Sequence, residues 1–122
     1  MGQPVVHFEI MGNDAKALRA FYSDLFGWKV DADNPLDYGM VEREGNVNAE
    51  GIGIGGGIAA MPEEQPGYVT VYIEVPDVEV ALAKAEGLGG TRLMGPEQPM
   101  EGLVIGMFAD PEGHPVGVVK GM

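Results

Sequence analysis

The sequence repeats itself at an offset of 63 residues, and this repeat constrains the fold more than any other feature. Residues 7–28 read as a strand, a capped helix and a glycine stop, and residues 70–90 read in the same order. Asp77 follows Asp14 by the same offset. Long arrays of such units form solenoids, whereas two copies predict one compact domain with internal pseudo-symmetry.

The first copy opens with a strand in which apolar and polar side chains alternate over residues 4–11. Alternation of this kind places one set against a core and the other set on the opposite face of a sheet. The apolar set is Val6, Phe8 and Ile10, and the polar set includes His7 and Glu9. We therefore expect His7 and Glu9 to project from the face that lies away from the helix.

A helix follows this strand, because Asn13 and Asp14 offer N-caps and Gly27 offers a left-handed stop. Its apolar side chains recur at the spacing of one helical face, and we expect all of them to be buried against the strand. They are Leu18, Phe21, Tyr22 and Leu25.

The second copy repeats both elements. Its strand, residues 68–75, alternates like the first. The apolar set is Val69, Val71, Ile73 and Val75, and the polar set is Tyr68, Thr70, Tyr72 and Glu74. Asp77 caps the second helix, and Gly89 and Gly90 end it. The predicted buried stripe of this helix is Val78, Ala81, Leu82, Ala85 and Leu88.

Three further strands complete each copy. The candidates are residues 28–30, 38–43 and part of 51–61, then 91–94, 103–109 and 115–120. Residues 62–67 form a linker between a module of about residues 1–61 and a module of about residues 68–122. The predicted fold class is α+β: one domain of two βαβββ modules that form a curved mixed sheet, with the helices on its outer face.

Composition excludes several classes of function. Seven basic and nineteen acidic residues give a net charge of −12, which repels phosphate backbones and anionic lipid surfaces, so we expect no nucleic acid and no membrane as partners. The chain has no cysteine, which excludes disulfides and thiolate metal sites. No leader or membrane segment is recognisable, and we expect a cytoplasmic protein.

The motifs together resemble the vicinal oxygen chelate superfamily, which includes glyoxalase I, bleomycin-resistance proteins and extradiol dioxygenases. They are His7 seven residues before Asp14, Phe21-Tyr22 with Phe26-Gly27-Trp28, Val75-Pro76-Asp77 with Gly89-Gly90, and the Phe108–Gly113 segment. This resemblance covers essentially the whole chain and implies the two-module fold predicted above.

The resemblance also implies a divalent metal ion held by His, Gln or Glu from the first and last strand of each copy. Carried over to this chain, the four positions give one fitting ligand, His7. Thr70 and Gly117 occupy the two positions of the second copy, and the glycine-rich last strand of the first copy offers only Glu50 at its edge. We therefore expect no cofactor, with a metal ion at His7 as the alternative.

Residues 51–56 match the pattern G-x-G-x-x-G of dinucleotide-binding proteins, but that motif requires a helix directly after the glycines, and the sequence predicts none there. They let the strand bend, or let a flat ligand or a partner chain approach the backbone. Tyr38, Tyr72 and Trp28 could stack on a flat guest, although such aromatic residues more often belong to a core.

These observations predict a homodimer that binds a small organic molecule, neutral or cationic rather than anionic, in the concavity of the sheet. The predicted ligand-binding residues are His7, Glu9, Thr70, Tyr72 and Glu74. Loops 31–37 and 95–102 would rim the pocket. One alternative is a metal-dependent lyase, isomerase or dioxygenase that holds its metal ion through His7, Glu50 or a neighbouring glutamate. A module that binds a protein partner is another alternative.

Overall fold

The computed structural model describes residues 2–62 and 64–122. Residue 63 of the predicted linker and residue 1 lie outside this part. The elements, in chain order, are β1 (Val5–Gly12), α1 (Ala15–Phe26), β2 (Val30–Asp31), β3 (Gly39–Val41), β4 (Gly55–Ala60), β5 (Tyr68–Glu74), α2 (Val78–Gly87), β6 (Thr91–Met100), β7 (Leu103–Ala109) and β8 (Pro115–Lys120). The order strand, helix and three strands occurs twice, which confirms the predicted fold class.

The chain divides into two compact units. The amino-terminal unit is His7–Val69, and the carboxy-terminal unit combines residues 2–6 with Thr70–Met122. Neither helix of the described chain has the length and hydropathy of a membrane span.

The amino-terminal unit has its strands in the order β2-β3-β4-β1. Strands β1 and β4 are parallel, with Glu9 opposite Gly57, and the other pairs are antiparallel. Ile10, Val41 and Ile58 form the buried core of this unit, and further apolar side chains pack against them. These are Phe8, Leu18, Tyr22, Trp28 and Val30. The predicted apolar face of β1 is therefore confirmed for Phe8 and Ile10.

Helix α1 begins and ends as predicted. The Asp14 side chain accepts a hydrogen bond from the Ala17 amide at 3.0 Å, and Gly27 adopts a φ of 73° and donates to the Ser23 carbonyl. The predicted burial of Phe21 and Leu25 is wrong, because both are 58% exposed. Periodicity identifies the apolar side of a helix, but it does not show how far the sheet extends beneath that side.

The carboxy-terminal unit has the strand order β5-β8-β7-β6. Strands β5 and β8 are parallel, with Tyr72 opposite Gly117, and the other pairs are antiparallel. The buried core consists of Val75, which follows β5, together with Val78 and Leu82 of α2 and Val118 of β8. Asp77 caps α2 as predicted. Leu88, in contrast, is 71% exposed, because the helix ends at Gly87 and Leu88 no longer follows its stripe.

Strands β7 and β8 have the predicted bounds, and the turn between them is closed by a hydrogen bond from the Gly113 amide to the Asp110 carbonyl at 2.8 Å. Residues 95–102 do not form the predicted loop, because β6 continues to Met100. Strand β6 is the last in the sheet order and pairs with β7 through several register shifts. A strand in this position tolerates prolines, since their missing amide hydrogens remove few ladder bonds.

Candidate functional site

A buried polar cluster lies on the face of β1 that points away from α1. It consists of His7, Glu9, Tyr38 and Tyr68, all in the amino-terminal unit. Tyr38 donates from its hydroxyl to Glu9 Oε2 at 2.9 Å, and Tyr68 donates to Glu9 Oε1 at 3.0 Å. His7 Nε2 lies 2.8 Å from the Tyr38 hydroxyl. His7 is 5% exposed and Glu9 is 6% exposed, so the carboxylate is held by hydrogen bonds with little access to water.

These bonds assign the protons of the cluster. Because the Tyr38 hydroxyl donates its one hydrogen to Glu9, the hydrogen in its bond with His7 comes from Nε2. Burial lowers the pKa of His7 from 6.5 to about 4, so this imidazole is neutral at physiological pH. Burial, the Glu9 charge and the hydrogen bond to Glu9 all raise the pKa of Tyr68 above its ordinary value.

The backbone of Tyr38 is fixed by its own loop. The Asn34 side chain accepts from the Tyr38 amide at 2.9 Å and donates to the Tyr38 carbonyl at 2.7 Å. Arg19, from α1, donates to the Asp37 carbonyl at 2.5 Å and to the Ile58 carbonyl at 3.0 Å. Asp37 has a φ of 49°, a conformation that non-glycine residues seldom adopt. The loop thus holds residue 38 at one place above the sheet.

The Tyr38 ring lies directly on the backbone of Gly57 in β4. A Cβ atom at Gly57 would come within 1.9 Å of Cζ and 2.0 Å of the hydroxyl oxygen of Tyr38. Since Gly57 pairs with Glu9 in the sheet, the absence of a side chain there lets the ring reach across to Glu9. A flat group does approach the glycine-rich strand, and it is a ring of the chain itself.

The carboxy-terminal unit repeats part of this arrangement. Tyr72 is 63 residues after Glu9 and pairs with Gly117, and the Tyr72 ring covers Gly117 so closely that an added Cβ would lie 2.5 Å from it. Thr70 is buried and donates its hydroxyl to the Pro115 carbonyl at 2.6 Å. Glu74 is half-buried, and its amide donates to the Pro4 carbonyl.

The predicted ligand-binding residues therefore fall into two groups. His7 and Glu9 are linked through Tyr38 in the amino-terminal unit, and Thr70, Tyr72 and Glu74 belong to the carboxy-terminal unit. That all five serve one guest stays a prediction. The alternation of β5 placed Tyr68 in its polar set, but Tyr68 was not among the predicted ligand-binding residues, and Tyr38 was considered only as an aromatic surface. The signals available were this alternation for Tyr68 and, for Tyr38, the glycine run that contains Gly57.

The donor groups do not fit the four-ligand metal site that the resemblance implies. The sheet register places Gly57 and Gly117 at corresponding positions of the last strand of each copy, and a tyrosine ring covers each of them. Thr70 offers only a hydroxyl, and Glu50 is exposed. Within residues 2–62 and 64–122, no three His, Asp or Glu side chains lie close enough together to hold a metal ion.

Two clefts lie beside the helices. One of about 490 Å³ is lined by α2 residues such as Val80 and Ala81 together with Ile73 and Phe108. The other, of about 630 Å³, lies between α1 and residues 67–69. Neither cleft is lined by His7 or Glu9, so neither one is the predicted pocket.

Comparisons with known proteins identify the family of the chain. A family model described as a glyoxalase-like domain matches residues 7–119. The protein named "Putative glyoxylase CFP32" from Mycobacterium tuberculosis is 31% identical over 115 residues, which cover 90% of this chain and 42% of that protein. A protein of the same name from Mycobacterium bovis matches equally. The chain spans less than half the length of these curated relatives.

Solved structures share the fold. A variant of methylmalonyl-CoA epimerase from Streptomyces coelicolor, in complex with 2-nitronate-propionyl-CoA, matches with a TM-score of 0.65 and 18% identity, over 97% of this chain and 96% of that chain. A glyoxalase/bleomycin resistance protein/dioxygenase superfamily member from Vibrio splendidus matches with a TM-score of 0.58 and 15% identity, over 98% and 99%. At these identities the likeness concerns the fold alone.

Proposed function

The chain belongs to the glyoxalase-like domain family, and from this premise we propose that it binds a small organic molecule at the polar cluster, without a tightly held metal ion. The observation that carries the proposal is the buried Glu9 carboxylate with its two tyrosine donors. A carboxylate is costly to bury, and a core needs none. Buried titratable groups linked in this way are typical of functional sites.

The charge of the cluster limits the class of guest. Glu9 accepts hydrogen bonds, and His7 is neutral, so the acidic side chain of Glu9 sets the sign of the charge at the cluster. The net charge of −12 on the whole chain also repels anionic guests. The guest is therefore a neutral or cationic molecule that presents a hydrogen-bond donor to Glu9.

A thermal-shift screen of small neutral, cationic and anionic compounds tests this proposal. We expect stabilisation by some neutral or cationic compounds and none by carboxylates or phosphates. Glu9→Gln should abolish the stabilisation, because an amide keeps only one of the two acceptor oxygens. Glu42→Gln, which removes an exposed carboxylate from the same unit, is the matched control. Binding that survives Glu9→Gln would place the guest elsewhere.

The second candidate is a metal-dependent lyase, isomerase or dioxygenase. It is favoured by the place of His7 on the first strand and by the epimerases that share the fold. Metal content of the purified chain, followed by titration with nickel, manganese, zinc and iron(II), separates the two. Near one metal per chain that is lost in His7→Ala, but kept in the exposed His114→Ala, would favour the enzyme.

We also propose that the chain forms a homodimer. Light scattering coupled to size-exclusion chromatography measures the mass directly, and the 12.9 kDa chain should elute at twice that mass. A monomer would contradict this part of the proposal without affecting the binding experiment.

A further inference from the structure

The Tyr38 hydroxyl occupies a position with two distinct hydrogen-bonding requirements. It accepts from His7 Nε2 at 2.8 Å and donates to Glu9 Oε2 at 2.9 Å. A hydroxyl group meets both requirements with one oxygen atom. An ammonium group can only donate, and a carboxylate can only accept, so neither could take the same place.

The bonds that hold the backbone of Tyr38 are separate from the bonds of its hydroxyl. Asn34 binds both the amide and the carbonyl of Tyr38, and Arg19 binds the carbonyl of the preceding residue. These bonds fix the backbone but do not involve the ring. The ring is half-buried, so part of it already faces solvent.

The space that the ring would vacate has a flat floor. Its floor is the backbone of Gly57, which carries no side chain. The ring planes of His7 and Tyr38 are nearly parallel, at 19°, with centroids 6.1 Å apart. A planar ring fits such a space, whereas a branched aliphatic group would meet the floor.

We propose that the guest of the polar cluster is a phenol or a similar planar alcohol, and that it binds in the place of the Tyr38 side chain, with its hydroxyl between His7 and Glu9. This inference rests on the proposed function and makes the class of ligand specific. Tyr38 then competes with the guest, because both groups need the same two partners and the same floor.

The competition predicts the direction of a mutational effect. If Tyr38 is displaced by the guest, its truncation to alanine removes the competitor and leaves a cavity of matching shape, so affinity rises. If Tyr38 instead contacts a guest that binds beside it, truncation removes a contact and affinity falls. The two models therefore predict opposite changes in the affinity for the guest when Tyr38 is truncated to alanine.

The experiment measures binding of 4-methylphenol, the isolated side chain of tyrosine, to the full chain by calorimetry and NMR. We expect Tyr38→Ala to bind it about tenfold or more tightly than the wild type, since one hydrogen bond to a charged group is worth at least that factor. Toluene has the same shape without the hydroxyl and should bind Tyr38→Ala about tenfold more weakly than 4-methylphenol.

Two variants serve as controls. Tyr38→Phe keeps the ring on Gly57 but loses both hydrogen bonds of the hydroxyl, so its affinity for 4-methylphenol should lie between those of the wild type and Tyr38→Ala. Tyr38→Ala combined with Gly57→Ala places a methyl group where the guest ring would lie, and it should lose the binding that Tyr38→Ala gains. In the wild-type chain, saturating 4-methylphenol should shift the Tyr38 ring resonances toward those of an exposed tyrosine, a measurement that does not require Tyr38→Ala to fold.

Equal binding of toluene and 4-methylphenol, or weaker binding by Tyr38→Ala than by the wild type, would overturn the inference. Unchanged Tyr38 resonances in the wild type at saturation would do the same. If the compound screen finds ligands that depend on Glu9 while 4-methylphenol fails these tests, the proposed function stands and this inference fails. If no compound binds in a Glu9-dependent manner, the proposed function itself fails.

Discussion

Tyr38 and Gly57 are in van der Waals contact through the ring of one and the bare backbone of the other, with no room for a single added carbon atom. The hydroxyl of Tyr38 reaches Glu9 because Gly57 lies opposite Glu9 in the sheet and carries no side chain. Gly57 therefore fixes the position of the Tyr38 ring, and the Tyr38 hydroxyl in turn supplies one of the hydrogen bonds to the Glu9 carboxylate.

Gly57→Ala should push the Tyr38 ring away from Glu9. We expect the free energy of unfolding to fall by roughly 1–3 kcal/mol, the usual cost of overpacking a close contact, as measured by urea unfolding. The cost should be much smaller in a Tyr38→Ala background, because neighbouring groups that share one space are not additive. Gly87→Ala is the control: the space around Gly87 at the end of α2 is open, and the change should be neutral or stabilising. Equal losses of unfolding free energy in Gly57→Ala and Gly87→Ala would contradict the close contact between Tyr38 and Gly57.

Stability should depend on the protonation of His7. Its pKa is about 4 in the folded chain and 6.5 in the unfolded chain, so the unfolded state binds the proton first as the pH falls. The contribution of this group is intact above pH 6.5 and is lost through the window down to about 4, by up to roughly 3 kcal/mol. Urea unfolding from neutral pH to about 4.5 should show a steeper loss in the wild type than in His7→Gln.

Tyr68→Phe should destabilise the chain by roughly 1–3 kcal/mol, because it leaves the buried Glu9 oxygen without that donor. Tyr22→Phe is the matched variant. Tyr22 packs by its ring against Trp28, with centroids 5.7 Å apart, and phenylalanine keeps that contact. Its effect on urea unfolding should stay within about 0.5 kcal/mol. A Tyr68→Phe chain as stable as the wild type would mean that the carboxylate finds another donor.

Arg19→Lys should loosen the loop that carries Tyr38. Lysine cannot bind the Ile58 and Asp37 carbonyls together, and we expect a loss of roughly 1–3 kcal/mol in unfolding free energy. The ¹⁵N resonances of the His7 ring should change as well, since its partner Tyr38 moves. Asp37→Asn should leave both measurements nearly unchanged, because the carboxylate lies 3.4 Å from Arg19 and the carbonyl lies 2.5 Å from it. Asparagine also tolerates the φ of 49°.

The local features of the fold could be predicted from the sequence. Alternation along β1 correctly placed His7 and Glu9 on the face opposite Phe8 and Ile10. The helix caps, the turn at Asp110 and the bounds of β7 and β8 followed from residue type and spacing, because those signals lie within a few residues of each other.

The predictions that failed concern features that depend on distant parts of the chain. Exposure of Phe21 and Leu25 depends on the extent of the sheet below α1, which the helix sequence does not encode. Tyr38 binds Glu9, which lies 29 residues earlier in the sequence, and its ring packs on Gly57 of β4. The glycine run showed that something flat could approach the backbone, but nothing in its spacing identified Tyr38 as that group.

The boundary of the compact units does not coincide with the boundary of the repeat. Residues up to Val69 belong with His7, although Tyr68 opens the second copy of the sequence. The first copy alone therefore contains Glu9 but not the Tyr68 hydroxyl that binds it. The cluster needs both copies of the repeat: one contributes the carboxylate, and the strand that begins the other contributes one of its hydrogen-bond donors.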